Sequence, residues 1–273
     1  MSRSHLVIPD VQDYPSAPKD HLKWIGKYIV DKKFDVVVNL GDFADMSSLS
    51  SYDKGKRAME GRRITADIQS SKEAMDTLMN PLREYNAVKR RNKEAQYKPE
   101  LHFLMGNHED RLDRIGKNDA QFEGVIGLDD LKYKDYGWEV HDFLVPVRVD
   151  GVWYSHYFYR PHTGKPYSGS IETRLKHIGH SFTQGHEQGK LIGAQTLFDG
   201  TVRRGLVVGS CYLYNAGYRG PQAASEWRGV IVKYEVSEGN YDIMEVSLDY
   251  LCRKYEQMKL DKFMMDKYGV KLG

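Results

Sequence analysis

The sequence predicts an α/β fold built around a mostly parallel β-sheet. Two short apolar runs, at 5–9 and 34–40, each end at an acidic residue, Asp10 and Asp42 respectively. Between them, apolar residues recur at helical spacing over 20–31. This β-α-β order is typical of parallel strands joined by a crossover helix. Ligands of such sheets bind beyond the carboxyl ends of the strands, where these acids lie.

The remaining elements follow in chain order. A polar stretch at 46–63 predicts a long loop, and a helix over 64–96 follows it, with a basic end at 89–93 that is typical of a solvated last turn. A third buried strand is predicted at 101–105 and a polar helical stretch at 107–135. Helices are predicted at 170–179 and 249–268. The other predicted elements are strands, at 138–140, 143–149, 152–156, 181–185, 190–198, 203–209, 230–236 and 241–246.

The composition excludes several classes of protein. The 273 residues are 40% hydrophobic and 12% aromatic, which is enough apolar material for a sizeable core and argues against disorder. The formal net charge of +2 gives no global signature of a polyanion-binding protein. Two cysteines, Cys211 and Cys252, cannot form a disulfide framework and indicate buried thiols in a reducing compartment. Without a signal-length or membrane-length apolar run, a cytoplasmic location with no membrane partner is expected.

Metal-ligating residue types occur at the predicted strand ends. They are hard oxygen donors and imidazoles, the mixture that divalent first-row metals use. Residues two apart that leave a strand point the same way, so each Asp-x-Gln or His-x-Gln pair can reach one ion. Each residue alone is typical of a turn or a core position, but their joint occurrence indicates a metal centre. The set is Asp10, Gln12, Asp42, Asp45, Asn107, His108, His156, His186 and Gln188. Two other histidines, His162 and His180, are expected to be surface or structural residues.

Two motifs in this set resemble those of the calcineurin-like metallophosphoesterase superfamily. They are GDFAD at 41–45 and GNHE at 106–109, and the strand-end histidines accompany them in the family's order. The resemblance spans about two-thirds of the chain, from Asp10 to Gln188, and no family motif follows Gly189. It implies a four-layer α-β-β-α sandwich in which two mixed β-sheets are flanked by helices. A metallophosphoesterase domain at 1–248 and a helical tail at 249–273 are expected, and the loop at 46–63 resembles loops of phage-encoded members.

The resemblance also implies a role for each motif residue. Asp42 would bridge two divalent metal ions. The second ion would be completed by Asn107, His156 and His186. The first ion would be held by Asp10, with Gln12 and Gln188 at the positions of two further ligands. His108 would be the catalytic histidine, oriented by Asp45. Arg111 lies three residues after His108 and is a candidate for binding a phosphate oxygen, with a helix-surface position as the alternative.

The two glutamines depart from the family pattern, which has histidine at both positions. Glutamine offers a neutral carbonyl oxygen, so the first site would be harder and weaker, which disfavours Zn²⁺ and favours Mn²⁺, Mg²⁺ or Ca²⁺. The expectation is two divalent ions with Mn²⁺ favoured, and with Mg²⁺, Ni²⁺, Zn²⁺ or Ca²⁺ as alternatives. A further alternative has the amides of Gln12 and Gln188 bonded to each other and to Asp10, with the first site empty.

The substrate is less well defined by the sequence. Basic and aromatic residues favour a phosphodiester substrate such as nucleic acid or a nucleotide, because exposed rings among basic groups can stack bases. The basic residues are Arg62-Arg63 and the run at 89–93. Five tyrosines supply the rings, although they also fit packing at sheet edges. These tyrosines are Tyr157, Tyr159, Tyr212, Tyr214 and Tyr218. Phosphomonoesters and phosphoproteins are alternative substrates, but GDFAD lacks the following Arg-Gly typical of protein phosphatases. A non-catalytic phosphate- or nucleic-acid-binding module is the alternative from another class. A phage-encoded chain would act in the host cytoplasm.

Overall fold

Two mixed β-sheets stack between helical layers in the computed structural model, which describes residues 2–118, 120–215 and 226–272. The first sheet has six strands, in the spatial order β11-β10-β1-β2-β3-β4. These are β1 (Arg3–Ile8), β2 (Val36–Asn39), β3 (Glu100–Leu104), β4 (Glu139–His141), β10 (Gly229–Ser237) and β11 (Asn240–Ser247). Strands β1 to β4 are parallel, whereas β10 runs antiparallel to β1 and to β11.

The second sheet has five strands, in the order β5-β6-β7-β9-β8. They are β5 (Val147–Val149), β6 (Val152–Ser155), β7 (Phe182–Gln184), β8 (Lys190–Thr196) and β9 (Val202–Val208). The pairs β6-β7 and β7-β9 are parallel, and the two edge strands are antiparallel to their neighbours. In both sheets, therefore, the carboxyl ends of the central strands lie along one edge.

Three apolar clusters define four layers. Between the sheets, residues from both sheets pack together, including Val38, Leu104, Tyr154 and Val208. A larger cluster packs the outer face of the first sheet against the helices α1 (Asp20–Lys32), α2 (Ile64–Arg91), α5 (Leu248–Glu256) and α6 (Leu260–Tyr268). The helix α4 (Ile171–Ile178) covers the second sheet through Leu175 and Phe182. The predicted four-layer α-β-β-α sandwich is confirmed.

Left-handed backbone at residues other than glycine interrupts two predicted elements. The strand predicted at 143–149 is formed only from Val147 onward, because Leu144 adopts φ 62° within a turn. The terminal helix predicted at 249–268 is two helices, since Gln257 adopts φ 57° between α5 and α6. The Trp24 indole donates to Glu256 over 2.7 Å, and its ring lies 5.2 Å from that of Phe263. The terminal helices thus pack on the chain's own core.

Two predicted helices are shorter than expected. Helix α2 ends at Arg91 rather than at 96, because the chain turns back and the Asn86 side chain bonds the backbone N–H and carbonyl of Tyr97. The polar stretch at 107–135 contains α3 (Asp110–Asn118) and two short 3₁₀ turns, at Leu128–Leu131 and Tyr133–Tyr136. Within the described residues, no helix has the length and hydropathy needed to cross a bilayer. Cys211 and Cys252 are buried free thiols, as predicted.

Candidate metal centre

The loops at the carboxyl ends of five strands meet at one edge of the sandwich. The first sheet contributes Asp10 after β1, Asp42 after β2, and Asn107 with His108 after β3. The second sheet contributes His156 directly after β6 and His186 after β7. Several hydrogen bonds join the loops. Among them, the backbone N–H of Gln12 donates to the Asp42 carbonyl over 2.7 Å and that of His186 to Asp10 Oδ1 over 3.0 Å.

Four of the predicted ligands form a tight cluster. Asn107 Oδ1 lies 2.9 Å from His156 Nε2 and 2.9 Å from His186 Nδ1, and these two nitrogens are 3.2 Å apart. His156 Nε2 is also 3.4 Å from Asp42 Oδ2. One carboxylate, one amide and two imidazoles therefore direct ligand atoms to a common point. This donor set fits a divalent transition-metal ion.

Asp10 provides a second indication of a cation. Its Oδ2 atom is buried and has no hydrogen-bond partner among the described residues. Burial, together with the nearby charge of Asp42, raises the pKa of Asp10 to about 7. An unpaired buried carboxylate oxygen is costly, and a bound cation would remove that cost. The environment of Asp10 therefore fits a first ion beside the cluster.

Gln12 and Gln188 lie in this region, but not on strands. Their exposures are 2% and 5%, and both adopt left-handed φ values, 47° and 60°. The expected strand alternation therefore does not apply here, because the loop backbone sets the orientation of both side chains. Gln188 Oε1 lies 3.1 Å from the Tyr212 hydroxyl, and the Tyr214 hydroxyl donates to the Gln12 carbonyl. Their role as ligands stays a prediction.

Asp45 orients the ring of His108. Its Nδ1 lies 2.9 Å from Asp45 Oδ1 and 2.8 Å from the Asp45 carbonyl, both of which can only accept. The proton is thereby held on Nδ1, and Nε2 faces Asp42 Oδ2 at 3.7 Å. Burial lowers the pKa of His108, but the charges of Asp42 and Asp45 outweigh burial and the net direction is upward.

Arg111 is held against this histidine. Its guanidinium lies 3.1 Å from His108 Nε2 and donates to the carbonyls of Asp45 and Met46 over 2.9 and 3.3 Å. The side chain is thus directed into the site rather than out from a helix surface. The Arg111 guanidinium adds a fixed positive charge beside the His108 ring.

The charges around Asp42 keep it ionised. Burial alone would raise its pKa, but His108 and His156 lower the pKa well below its ordinary range. Burial likewise opposes protonation of His156, yet the facing Asp42 raises the pKa of that ring to about 9. For His186 burial prevails and lowers the pKa to about 4. Asp42 is therefore ionised throughout the ordinary pH range.

Glu109 supports these loops, a role that the sequence pattern did not predict. Its side chain is fully buried and accepts three backbone N–H bonds, from Asp42, Ala44 and Gly106, at 2.8–2.9 Å. Gly106 is required for the same packing, because a Cβ there would lie 2.1 Å from Asp42 Oδ1. The position of Glu109 within GNHE was a signal for this support, but its contacts depend on the tertiary fold.

Other residues considered in the sequence lie outside the cluster. His162 is exposed in a loop and His180 is exposed beside Trp153. Tyr157 contacts the His186 ring at 4.8 Å between centroids, and Tyr218 lies outside the described residues. A pocket of about 580 Å³ adjoins Asp45, and its walls include Tyr14, Arg62, Arg63 and Tyr214.

Comparisons with known proteins give distant structural similarities. No family model matches the sequence, and no curated protein matches it at a significant level. One similar solved structure is YfcE, a phosphoesterase from E. coli, with 10% identity, a TM-score of 0.36, and coverage of 90% of this chain and 99% of that one. Another is a predicted phosphoesterase from Streptococcus pneumoniae TIGR4, with 8% identity, a TM-score of 0.31, and coverage of 90% and 98%. At these values the similarity carries no argument about activity.

Proposed function

We propose that the chain is a metal-dependent phosphoester hydrolase of the calcineurin-like type, acting on phosphodiesters. The observation that carries this proposal is the convergence of ligand atoms from both sheets beside an oriented histidine. Asn107, His156 and His186 meet at Asp42, and His108 faces the same carboxylate.

The residues fit two divalent ions. Asp42, with Asn107, His156 and His186, would hold one of them. The other would be held by Asp42 with Asp10, Gln12 and Gln188. When bound, two such ions neutralise phosphoryl oxygens and lower the pKa of an attacking water. The oxygen-rich first site favours Mn²⁺ over Zn²⁺.

His108 supplies the proton that hydrolysis requires at the leaving oxygen. Asp45 fixes the Nδ1 proton, so that Nε2 exchanges protons on the side facing Asp42. The carboxylates beside it raise the pKa of this ring, which favours its protonated form. Arg111, held by two backbone carbonyls, binds a non-bridging phosphoryl oxygen and stabilises the charge that develops there.

The pocket beside Asp45 supports a diester rather than a monoester. It offers two tyrosine rings and the arginines of Arg62-Arg63 next to the proposed proton carrier. A diester has a second group on phosphorus, and a nucleoside would place its base against Tyr14 and Tyr214. A binding module without catalysis would not need the oriented pair of His108 and Asp45.

Hydrolysis of two chromogenic substrates tests the proposal. Metal-stripped protein is titrated with Mn²⁺, Mg²⁺, Zn²⁺ and Ni²⁺ in the presence of bis-p-nitrophenyl phosphate or p-nitrophenyl phosphate. We expect Mn²⁺-dependent turnover that is greater on the diester. His108→Ala should keep its metal and lose turnover by a factor on the order of 10² or more. His162→Ala, in an exposed loop, is the matched control and should behave as wild type.

Three results would contradict the proposal at different levels. A higher rate on the monoester would overturn the diester assignment and leave hydrolysis intact. Equal turnover of His108→Ala and wild type would remove His108 from the mechanism. Absence of turnover with every metal on both substrates would favour the binding module.

A further inference from the structure

A second group of metal-ligand side chains lies at the edge of the first sheet. His102 on β3 and Glu139 and His141 on the edge strand β4 direct their ligand atoms toward one another. His102 Nδ1 lies 3.0 Å from His141 Nε2 and 3.5 Å from Glu139 Oε2, and His141 Nε2 lies 3.9 Å from Glu139 Oε1. The rings of His102 and His141 are stacked, with their centroids 5.3 Å apart.

Glu100 orients the ring of the buried His102. His102 is 4% exposed, and its Nε2 lies 2.7 Å from Glu100 Oε1. An ionised carboxylate can only accept, so Nε2 carries the proton and Nδ1 presents its lone pair to His141 and Glu139. Metal-ligating histidines almost always donate their other ring N–H to a carboxylate, carbonyl or water in this way. His102 thus has the tautomer of a metal ligand.

The spacing of the three side chains fits a single ion. Ligand atoms about 2.1 Å from a tetrahedral ion are separated from each other by about 3.4 Å. The two imidazole nitrogens are 3.0 Å apart, Glu139 Oε2 lies 3.5 Å from His102 Nδ1, and Glu139 Oε1 lies 3.9 Å from His141 Nε2, so both oxygens of this carboxylate are near that spacing. The side chain of Glu139 is 67% exposed, so the group lies at the surface of the sheet edge.

We propose that His102, Glu139 and His141 form a Zn²⁺ site separate from the centre at Asp42. Two imidazoles and one carboxylate are a donor set typical of Zn²⁺, in contrast to the oxygen-rich set around Asp10. The ion would join the edge strand β4, which has only three residues, to β3. The His141 carbonyl accepts from the Met105 N–H over 3.0 Å, so the site also adjoins the segment that leads to Asn107.

Zinc binding is measured in a background without the first centre. The full-length Asp42→Ala/His186→Ala variant is stripped of metal and titrated with Zn²⁺ by calorimetry, with stoichiometry checked by elemental analysis. We expect one Zn²⁺ per chain. Adding His141→Gln or Glu139→Gln should weaken binding by a factor of about 10–100 or more, and Glu100→Gln should weaken it within that range. His162→Gln is the matched control and should bind as the background does.

A spectroscopic readout distinguishes ligation from loss of fold. With Cu²⁺ in place of Zn²⁺, electron paramagnetic resonance of the background variant should show coupling to two imidazole nitrogens, reduced to one by His141→Gln. Circular dichroism and urea unfolding check that each variant is folded. Absence of Zn²⁺ binding in the background, or unchanged affinity in folded His141→Gln, would overturn the proposal and leave a simple N–H···N hydrogen bond between the histidines. Neither result depends on hydrolysis.

Discussion

Replacing Glu109 with glutamine tests how the loops of the metal centre are held in place. The Glu109 carboxylate is fully buried, and it accepts the N–H groups of Asp42 and Gly106 on one oxygen and that of Ala44 on the other. Glutamine has nearly the same shape but only one acceptor oxygen. Its amide NH₂ would therefore face at least one backbone N–H at about 3 Å.

The expected loss follows from these three bonds. Bonds to a charged acceptor contribute roughly 2 kcal/mol each and neutral ones about 1 kcal/mol, so the two bonds that glutamine keeps lose about 2 kcal/mol together. The N–H left without an acceptor costs about 1–3 kcal/mol more. Removing a buried charge offsets part of this, about 1 kcal/mol. The net destabilisation of Glu109→Gln should be about 2–4 kcal/mol.

Urea unfolding of the metal-stripped protein measures this difference directly. Glu84→Gln, on an exposed position of α2, makes the same chemical change and should alter stability by less than about 0.5 kcal/mol. Because the Asp42 backbone loses its anchor, Glu109→Gln should also bind Mn²⁺ more weakly in equilibrium dialysis. If its unfolding midpoint and Mn²⁺ affinity equal those of Glu84→Gln, the Glu109 bonds do not hold the loops.

Three further results are expected. Asp42→Ala should abolish binding of both ions of the centre, because the bridge is lost; elemental analysis that still finds two ions there would refute bridging. Gln12→His with Gln188→His should raise Zn²⁺ affinity in a competition titration, and an unchanged preference would show that the glutamines are not ligands. Burial lowers the pKa of Lys233 well below its ordinary value. The folded chain therefore binds fewer protons than the unfolded chain, and the free energy of unfolding should rise with pH up to the pKa of lysine in the unfolded chain, about 10.4. Lys233→Met should flatten that slope in urea unfolding between neutral pH and about pH 9, and an equally steep slope in the variant would place its origin elsewhere.

The first three strands were predictable because buried parallel strands are continuous apolar runs. The runs before Asp10, Asp42 and Asn107 are short and uninterrupted, and each ends at a polar residue. Since parallel strands bring their carboxyl ends to one edge, the meeting of Asp42, Asn107, His156 and His186 could also be expected. The meeting of the two sheet edges also depends on how the sheets stack, which only the family resemblance implied.

The details that could not be predicted depend on tertiary contacts and on backbone angles. Nothing in the residue types of Leu144 or Gln257 signals the left-handed φ that ends each predicted element there. Two of the three backbone bonds of Glu109 come from a loop more than sixty residues earlier in the chain, which no local pattern encodes. The orientation of Gln12 and Gln188 was missed for a related reason, because alternation holds only within a strand.

The division of the proposed ligands between the two sheets would link metal uptake to the last steps of folding. Asp10, Asp42 and Asn107 are carried by one sheet and His156 and His186 by the other, while β10 and β11 return to the first sheet at the end of the chain. Neither sheet alone can assemble the set, and these contacts join segments far apart in sequence, which form slowly. A chain in which β10 and β11 have not yet joined the first sheet should therefore not bind the metal. Only the fully folded chain would then bind the ions. Because they would bind residues of both sheets, the ions would stabilise the packing of one sheet on the other.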